Sequence, residues 1–426
     1  MLIKHARIID PEQNLDFMGN LSIEDGRILE IGGPALTGAG PELDAKGLVL
    51  TPGLVDMHVH FRDPGFVYKE DILTGAAAAA AGGVTTVACM PNTSPVIDSP
   101  ADIAYVLTRG AQAPIHVLPI GAVTVGQKGR ELTDFKALKT AGAVALSDDG
   151  VPVDRAVTVR AAMQAARELN LPIISHCEDG EMVQNYAVNE GVISERLGLP
   201  GRPAIAEELM AARDILLAEE TGARLHIAHV STRGTVRLIR MAKAAGIPVT
   251  AETCPQYYTL TEDMLLEKGA LARVNPPLRT DADVTAVTEA VCDGTIDVIV
   301  TDHAPHSAEE KARPLVDAPS GMVGLETSLA LTLTALYHTG RLSLMDILRR
   351  MSLTPCEILG LAAGRLRPGA PADLVLFDPD EDWTVDPDAF QSKGRNTPFG
   401  GRQVRGRVKC TIADGDIVFG GIASCQ

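Results

Sequence analysis

Eight short apolar or β-branched segments, separated by stretches of helical composition, constrain the fold of this chain more than any other feature of its sequence. Such alternation is expected when parallel strands are joined by crossover helices. Eight units predict an α/β fold built on a closed (β/α)8 TIM-like barrel. The predicted strands are GLVDMHVH from Gly53, VTTVACM from Val84, IHVLPIG from Ile115, AVALSDD from Ala143, PIISHCE from Pro172, RLHIAHV from Arg224, PVTAETC from Pro248 and DVIVTDH from Asp297.

The regions between and outside these strands have different compositions. Helices are predicted between strands, for example over Arg155–Asn170, Ala204–Thr221 and Thr232–Ala245, several of them ending at Gly or Asn. The two ends of the chain instead carry short strands with Asp-Gly and Gly-Gly turns. We therefore predict a barrel over residues 53–364 and a small β-sandwich domain formed from residues 1–52 and 365–426 of both termini.

Composition argues against several classes of protein. Of the 426 residues, 46% are hydrophobic and 22% are charged, which is enough apolar material to bury a large core. A net charge of -17 argues against a nucleic acid partner, because clustered Lys and Arg are needed to neutralise phosphates. No apolar run is long enough for a signal peptide or a membrane span. The seven cysteines, Cys425 among them, lack C-x-x-C spacing and indicate free thiols in a reducing cytoplasm.

An H-x-H pair lies at the end of the first predicted strand. Asp56, His58 and His60 alternate with Met57 and Val59, so their side chains project from one face of that strand. Barrel active sites gather at the carboxyl ends of the strands, where two such imidazoles reach one cation. A pair of core or surface histidines is the alternative for an isolated H-x-H.

Four further predicted strands end in side chains that ligate metals. These are Asp149 after the fourth strand, His176 after the fifth, His229 after the sixth and Asp302 after the eighth. Four imidazoles and two carboxylates exceed the needs of one tetrahedral zinc and suit two zinc ions bridged by a carboxylate and a hydroxide. The expected ligands are His58, His60 and Asp302 for the first zinc, His176 and His229 for the second, and Asp149 as the bridge.

The expected bridge has a neighbour of the same residue type. Asp148 and Asp149 both precede Gly150, and the strand pattern does not decide at which of them the strand ends. The aspartate that does not bridge would serve a turn or a cap. Cys177 is excluded as a ligand, because adjacent residues of a strand face opposite sides.

These residues lie in motifs that resemble the cyclic amidohydrolase family over nearly the whole chain. The motifs are PGLVDMHVHFRDPG, MPNT, SDDG, HCED, AHVS, NPPLR, TDHAPH and GLET. The likeness is strongest to the long-chain bacterial dihydroorotases, whose bridge is an Asp in a DDG segment where many relatives use a carbamylated lysine. Ser147 to Gly150 has that form, and by its distance from His176 the residue that matches the family bridge is Asp149.

The resemblance also implies contacts to a substrate. The implied contact residues are His60, Arg62, Asn92, Asn275, His306, Ser320 and Gly321. A guanidinium fork and amide donors suit a substrate carboxylate. A salt bridge from Arg62 to Asp63, and turn roles for the two asparagines, are the alternatives. Many relatives carry an aromatic residue where Ser320 stands, and the preceding segment Arg313–Pro319 is a candidate lid.

The activity that the resemblance implies is the reversible, zinc-dependent hydrolysis of (S)-dihydroorotate to N-carbamoyl-L-aspartate in de novo pyrimidine (UMP) biosynthesis, with Asp302 moving the proton. A hydantoinase or allantoinase would share the barrel and the metals. Those relatives use a carbamylated lysine on the fourth strand, and AVALSDD contains none. A metal-free scaffold is the alternative from another class. Homodimer formation and association with aspartate transcarbamoylase are partner questions that the resemblance leaves open.

Overall fold

The computed structural model describes residues 1–38, 40–184 and 186–421, in which strands and helices alternate. The strands are β1 (Leu2–Asp10), β2 (Leu15–Glu24), β3 (Arg27–Gly32), β4 (Glu42–Asp44), β5 (Val49–Pro52), β6 (Leu54–Val59), β7 (Val84–Cys89), β8 (His116–Pro119), β9 (Leu146–Ser147), β10 (Ile173–Ser175), β11 (Val188–Asn189), β12 (Gly201–Arg202), β13 (Leu225–Ile227), β14 (Val249–Thr253), β15 (Val298–Ile299), β16 (Leu374–Thr384), β17 (Gln403–Ala413) and β18 (Asp416–Gly420).

The helices lie mainly between the strands β6 and β16. The α-helices are α1 (Ile72–Ala81), α2 (Pro100–Gly110), α3 (Phe135–Ala141), α4 (Ala156–Glu168), α5 (Gly180–Val183), α6 (Val192–Leu197), α7 (Ala204–Thr221), α8 (Arg233–Ala244), α9 (Pro255–Thr259), α10 (Met264–Lys268), α11 (Asp281–Asp293), α12 (Ala308–Lys311), α13 (Ser328–Thr332), α14 (Leu344–Leu348) and α15 (Thr354–Leu359). Two π-helical segments, Leu333–Tyr337 and Arg349–Leu353, follow α13 and α14 directly. Short 3-10 segments are Val125–Gln127, Gly269–Ala272 and Pro387–Ala389.

A closed ring of eight parallel strands forms the barrel. Strands β6, β7 and β8 pair in one parallel set, and β9, β10, β13, β14 and β15 pair in another. Isolated parallel bridges join the two sets at both seams, from Gly121 to Leu146 and from Val59 to His303. The prediction of a (β/α)8 barrel is confirmed.

Each predicted barrel segment contains one strand, but most of the strands are shorter than the pattern suggests. The fourth and the eighth are the shortest, since the strand covers only Leu146–Ser147 in the segment AVALSDD and only Val298–Ile299 in DVIVTDH. Two of the rim residues, His229 and Asp302, have φ values of 33° and 50°, a left-handed backbone that ends an extended strand. The strand pattern in the sequence therefore extends beyond the paired strand residues. It includes the residues whose left-handed backbone directs His229 and Asp302 into the barrel mouth.

The two ends of the chain form one eight-stranded sheet in the order β18-β17-β16-β5-β1-β2-β3, with β4 paired to β1. The ends meet where β5 pairs in parallel with β1 and antiparallel with β16, with Leu50 opposite Leu376. Side chains from both halves of the sheet, including Ile8, Leu21 and Ile412, share one buried cluster. The sheet thus encloses its own core, and the predicted sandwich from both termini is confirmed.

The domain boundaries predicted after residues 52 and 364 stay a proposal, which the strand order supports. Strand β5 ends at Pro52 in the terminal sheet, and β6 begins at Leu54 in the barrel. Residues 422–426, including Cys425, lie outside the described residues. The other six cysteines are free thiols. No helix in the described part of the chain combines the length and apolarity needed to cross a bilayer.

Truncating the core of the terminal sheet is expected to destabilise the protein. Leu376→Ala removes a fully buried side chain, and such a cavity costs about 2 to 5 kcal/mol of unfolding free energy. The control is Leu29→Ala on β3, whose side chain is 54% exposed and whose loss is expected to cost less than about 0.5 kcal/mol. Thermal unfolding of both variants tests the packing, and equal midpoints would contradict it.

Candidate metal centre

Four imidazoles surround the carboxylate of Asp149 at the carboxyl ends of the barrel strands. Asp149 Oδ1 lies 3.3 Å from His176 Nδ1, 3.4 Å from His229 Nε2 and 3.6 Å from His58 Nε2. Asp149 Oδ2 lies 3.4 Å from His60 Nε2. Two groups of three potential ligands result, with His58 and His60 in one and His176 and His229 in the other, and Asp149 belongs to both.

The strand ends explain how these side chains converge. His58 and His60 are two residues apart at the end of β6 and therefore point to the same side. His176, His229 and Asp149 each follow the last paired residue of a different strand. The structure thus brings together the imidazoles that the sequence pattern selects, and it buries all of them.

Asp302 lies with the first of the two groups. Its Oδ1 atom is 3.0 Å from His60 Nε2 and 3.6 Å from His58 Nε2. Its side chain is 10% exposed, so the carboxylate borders the mouth of the barrel. The six predicted ligands therefore form one continuous cluster of nitrogen and oxygen atoms.

Asp148 has a different environment from Asp149. Its Oδ1 accepts hydrogen bonds from the backbone N–H groups of Val123, at 2.8 Å, and Thr124, at 3.2 Å. Its Oδ2 accepts one from the Thr124 hydroxyl at 2.5 Å. Burial raises the pKa of Asp148 to about 6. Asp148 thus anchors the loop after β8, while Asp149 faces the imidazoles.

A buried glutamate that the sequence patterns did not single out holds the first histidine. Glu252 Oε1 contacts His58 Nδ1, and Glu252 Oε2 lies 3.1 Å from His226 Nε2. Hydrogen bonding at Nδ1 leaves His58 Nε2 free to face the ligand cluster, as is common for metal-binding histidines. The signal was a charged residue inside the apolar strand β14, because a fully buried carboxylate needs partners.

A second missed group surrounds His176 and Asn275. Glu178 Oε2 lies 3.3 Å from His176 Nε2 and accepts a hydrogen bond of 3.2 Å from Asn275 Nδ2. Arg202 Nη1 donates to Glu178 Oε1 at 2.6 Å and also contacts the Asn275 side chain. Asn275 therefore lies against a histidine of the cluster around Asp149. No local sequence signal connects Arg202 with this cluster.

The electrostatics of the cluster favour a cation. Burial alone would lower the pKa of both His58 and His176, but nearby carboxylates raise the pKa of His58 well above its usual value and that of His176 to about 10. Burial alone would raise the Asp149 pKa, yet the imidazoles hold it well below the usual range. A site that binds protons this strongly also attracts a metal ion, which competes with them.

Hydrogen bonding points the same way. His58 Nε2, the ring nitrogen that faces Asp149, is a buried polar atom without a hydrogen-bond partner among the described residues. An unsatisfied buried imidazole nitrogen is costly unless another group binds it. Imidazole nitrogens and carboxylate oxygens at this spacing are ligands typical of zinc. The residues present therefore fit a metal site with two positions that share Asp149.

Arg62 lies at the mouth of the barrel beside His306. Its Nη2 is 3.4 Å from His306 Nε2, and its Nε donates to the Pro305 carbonyl at 3.3 Å. The alternative of an Arg62–Asp63 salt bridge is not observed, because Asp63 accepts a hydrogen bond from Tyr105 at 2.7 Å and lies near Arg109. The guanidinium is thus directed toward the site.

His306 is held neutral by its surroundings. Burial, then Arg62 and Lys69, lowers the pKa of His306 to about 2. Lys69 Nζ lies 3.4 Å from His306 Nδ1, and His306 Nε2 lies 2.8 Å from the Ser320 carbonyl. An ammonium can only donate, so Nδ1 accepts and Nε2–H donates to Ser320.

The remaining predicted contact residues border the same mouth. Asn92 Oδ1 lies 2.9 Å from His60 Nδ1, so this amide orients a histidine of the cluster. Gly321 has φ 137°, and a Cβ atom there would approach the Ala304 carbonyl to 2.8 Å, so only glycine fits. The Ser320 hydroxyl accepts a hydrogen bond of 3.3 Å from Arg273 Nε.

Comparison with known proteins agrees with this geometry. A family model described as dihydro-orotase-like matches residues 47–235, and one described as amidohydrolase family matches residues 317–419. A dihydroorotase from Pelotomaculum thermopropionicum is 51% identical over 419 residues, 98% of each chain. One from Syntrophotalea carbinolica is 49% identical over 98% of this chain and 99% of its own length.

Solved structures with a similar fold extend the comparison. An L-hydantoinase (dihydropyrimidinase) from Arthrobacter aurescens superposes with a TM-score of 0.89 at 26% identity, covering 100% of this chain and 97% of its own. A dihydropyrimidinase from Brevibacillus agri gives 0.87 at 24% identity, covering 99% and 96%. Fold, site and matches define a metal-dependent hydrolase of cyclic amides. Within that class, the chain belongs to the dihydroorotase family.

The two adjacent aspartates are expected to differ in their effect on metal binding. Asp149→Asn removes the negative charge shared by both ligand groups, so we expect the loss of at least one bound metal ion per chain. Asp148→Asn is the matched control, expected to keep the full metal content because its carboxylate bonds only to the loop after β8. Elemental analysis of the purified variants measures both, and metal loss in the control alone would contradict the assignment.

Proposed function

We propose that this protein catalyses the reversible hydrolysis of (S)-dihydroorotate to N-carbamoyl-L-aspartate, a step of de novo pyrimidine (UMP) biosynthesis. The observation that carries the proposal is the Asp149 carboxylate shared by two pairs of imidazoles, with Arg62 at the mouth above them. The identity of about half of all positions with two full-length dihydroorotases supports the choice of ring.

The cofactor that we propose is a pair of zinc ions in the barrel mouth. The proposed ligands are His58, His60 and Asp302 for one ion, His176 and His229 for the other, and Asp149 for both. When bound, such a pair lowers the pKa of a water molecule and polarises a carbonyl oxygen. Glu252 and Asn92 would keep His58 and His60 oriented for this role by holding the Nδ1 atom of each ring.

Asp302 is the residue that we propose to move the proton. Its carboxylate borders the mouth, beside His60 and His58. In hydrolysis, the oxygen of water adds to the ring carbonyl carbon, and Asp302 accepts the water proton. The bond between that carbon and the ring nitrogen then breaks, and Asp302 returns the proton to the nitrogen. Cyclisation follows the same steps in reverse.

The substrate carboxylate would bind at the Arg62 side of the mouth. A guanidinium offers two parallel donors to a carboxylate. Neutral His306 lies next to it and keeps an N–H that can turn from the Ser320 carbonyl to the ligand. Asn92 and Asn275 add amide groups at the opposite side, next to the imidazole cluster. Gly321 would add its backbone carbonyl as an acceptor, because its N–H already donates to the Arg273 carbonyl.

We propose that the protein acts in the cytoplasm. Six free thiols among the described residues are consistent with the reducing cytoplasm. A homodimer and an association with aspartate transcarbamoylase stay predictions of the family resemblance. They would be tested by the mass of the purified protein in solution, alone and mixed with aspartate transcarbamoylase.

An ultraviolet assay of ring opening tests the proposed substrate. Dihydroorotate, hydantoin and allantoin are offered to the zinc-loaded protein. We expect kcat/KM for dihydroorotate to exceed the others by at least about 100-fold, because hydantoin and allantoin carry no carboxylate to pair with Arg62. Elemental analysis of the same sample is expected to give about two zinc ions per chain. Preference for hydantoin or allantoin would refute the proposal in favour of a hydantoinase or allantoinase.

The proton-transfer role of Asp302 is tested by Asp302→Ala. We expect turnover to fall by about 10²- to 10⁴-fold, the usual contribution of a general acid-base. Most of the bound metal is expected to remain, since His58, His60 and Asp149 are intact. The control is Asp281→Ala, an exposed aspartate at the start of α11, with wild-type rates expected. Near-normal turnover in D302A would remove Asp302 from the mechanism.

A further inference from the structure

A buried lysine lies beneath the loop that carries Ser320 and Gly321. Lys311 is the last residue of α12 and is 7% exposed. Its Nζ donates hydrogen bonds to the carbonyl oxygens of Ala270 at 2.9 Å, Arg273 at 3.2 Å and Pro319 at 2.9 Å. All three protons of an ammonium therefore have backbone acceptors.

These three carbonyls belong to two segments that both carry proposed substrate contacts. Ala270 and Arg273 precede Asn275, and Pro319 directly precedes Ser320. The segments are also joined by a hydrogen bond of 3.0 Å from Gly321 N to the Arg273 carbonyl. Lys311 thus lies where the Asn275 segment and the Ser320 loop meet.

The guanidinium of Arg273 reinforces this junction from the other side. Its Nε donates to the Ser320 hydroxyl, and its Nη1 donates to the Leu315 carbonyl within the candidate lid Arg313–Pro319. The lid is therefore held by two side chains, and Lys311 bonds the same Arg273 carbonyl that accepts from Gly321 N. None of these contacts involves the metal cluster.

No acid in the described part of the chain makes direct contact with the ammonium of Lys311. Among the described residues it forms no ion pair within 4.0 Å. The charged and titratable groups that face it are Arg273, Arg62, Glu310 and His306. Burial, then Arg273 and Arg62, lowers the pKa of Lys311 to about 7. Burying a cation without an ion-pair partner costs free energy of folding.

We propose that Lys311 is a positioning residue, whose ammonium fixes the Ser320–Gly321 backbone against the Asn275 segment and thereby sets the affinity of the site for its carboxylate substrate. The inference rests on the proposed substrate site. It assigns Lys311 no contact with the reacting atoms, so its effect is expected in KM rather than in kcat. A neutral amine has only two protons, so one buried carbonyl would lose its donor.

The direction of the pH dependence follows from the lowered pKa. The ammonium is present below about pH 7 and is lost above it, so substrate affinity falls as the pH rises through that value. Stability changes the other way, because an unfolded lysine keeps its proton up to about pH 10 and the unfolded chain binds more protons between these values. A loss of affinity over this range is therefore separable from unfolding.

Lys311→Met tests the proposal directly. We expect KM for dihydroorotate to rise about 10- to 100-fold, the usual effect of losing hydrogen bonds to a charged group, with kcat within about 3-fold of wild type and metal content unchanged. The control is Lys268→Met, which removes a partly exposed lysine paired with Glu267 and is expected to leave KM unchanged. An unchanged KM, or an equal loss in K268M, would overturn the proposal.

The pH profiles of wild type and Lys311→Arg provide a second test that does not depend on how well K311M folds. Between about pH 6 and 9 we expect the wild-type KM to rise and that of K311R to stay flat, because a guanidinium keeps its charge. A flat wild-type profile, or the same rise in K311R, would overturn the role of Lys311. If wild type does not turn over dihydroorotate at all, the proposed function fails instead.

Discussion

Closure of the ring of eight barrel strands determines which side chains of the candidate site meet. The first and last barrel strands meet at the bridge between Val59 and His303, where His60 N donates to the His303 carbonyl at 2.9 Å. This seam brings His60 beside Asp302, although the two residues lie far apart in the chain. Because parallel strands place all their carboxyl ends at one rim, the same closure collects Asp149, His176 and the other predicted ligands.

Burying charged side chains at the barrel rim costs free energy. Groups of opposite charge or with hydrogen-bonding capacity therefore lie next to one another around it. Carboxylates at positions 149, 252 and 302 lie among imidazoles that are neutral when they bind metal. Glu252 links His58 to His226 deeper in the barrel, so the orientation of a ligand is fixed by packed interior residues. On the substrate side the sign is reversed, with Arg62, Lys69 and Lys311 near a neutral His306. The mouth therefore has a side rich in carboxylates and imidazoles, where we propose the metal site, and a side with three cationic side chains, where we propose that the substrate carboxylate binds.

Most residues of the candidate site can be predicted from the sequence with two structural rules. Residues alternating along a strand share a face, which pairs His58 with His60, and parallel strands end at a common rim, which adds the remaining ligands. The strand pattern alone left the choice between Asp148 and Asp149 open, and the family resemblance favoured Asp149. In the structure Asp149 faces the imidazoles, while Asp148 bonds to the loop after β8. The supporting residues Glu252, Arg202 and Lys311 were missed because their partners lie in distant segments, and neither rule encodes such distances.

The terminal sheet has a consequence for how the chain is made. Strand β5, near the amino terminus, pairs with β16, which the ribosome delivers only after the whole barrel has been synthesised. Until then β5 presents an unpaired edge, a known hazard for association between nascent chains. The amino-terminal strands and the barrel thus emerge before β16 to β18, which complete the sheet. Correct assembly of this sheet is therefore a long-range event that follows the synthesis of the barrel.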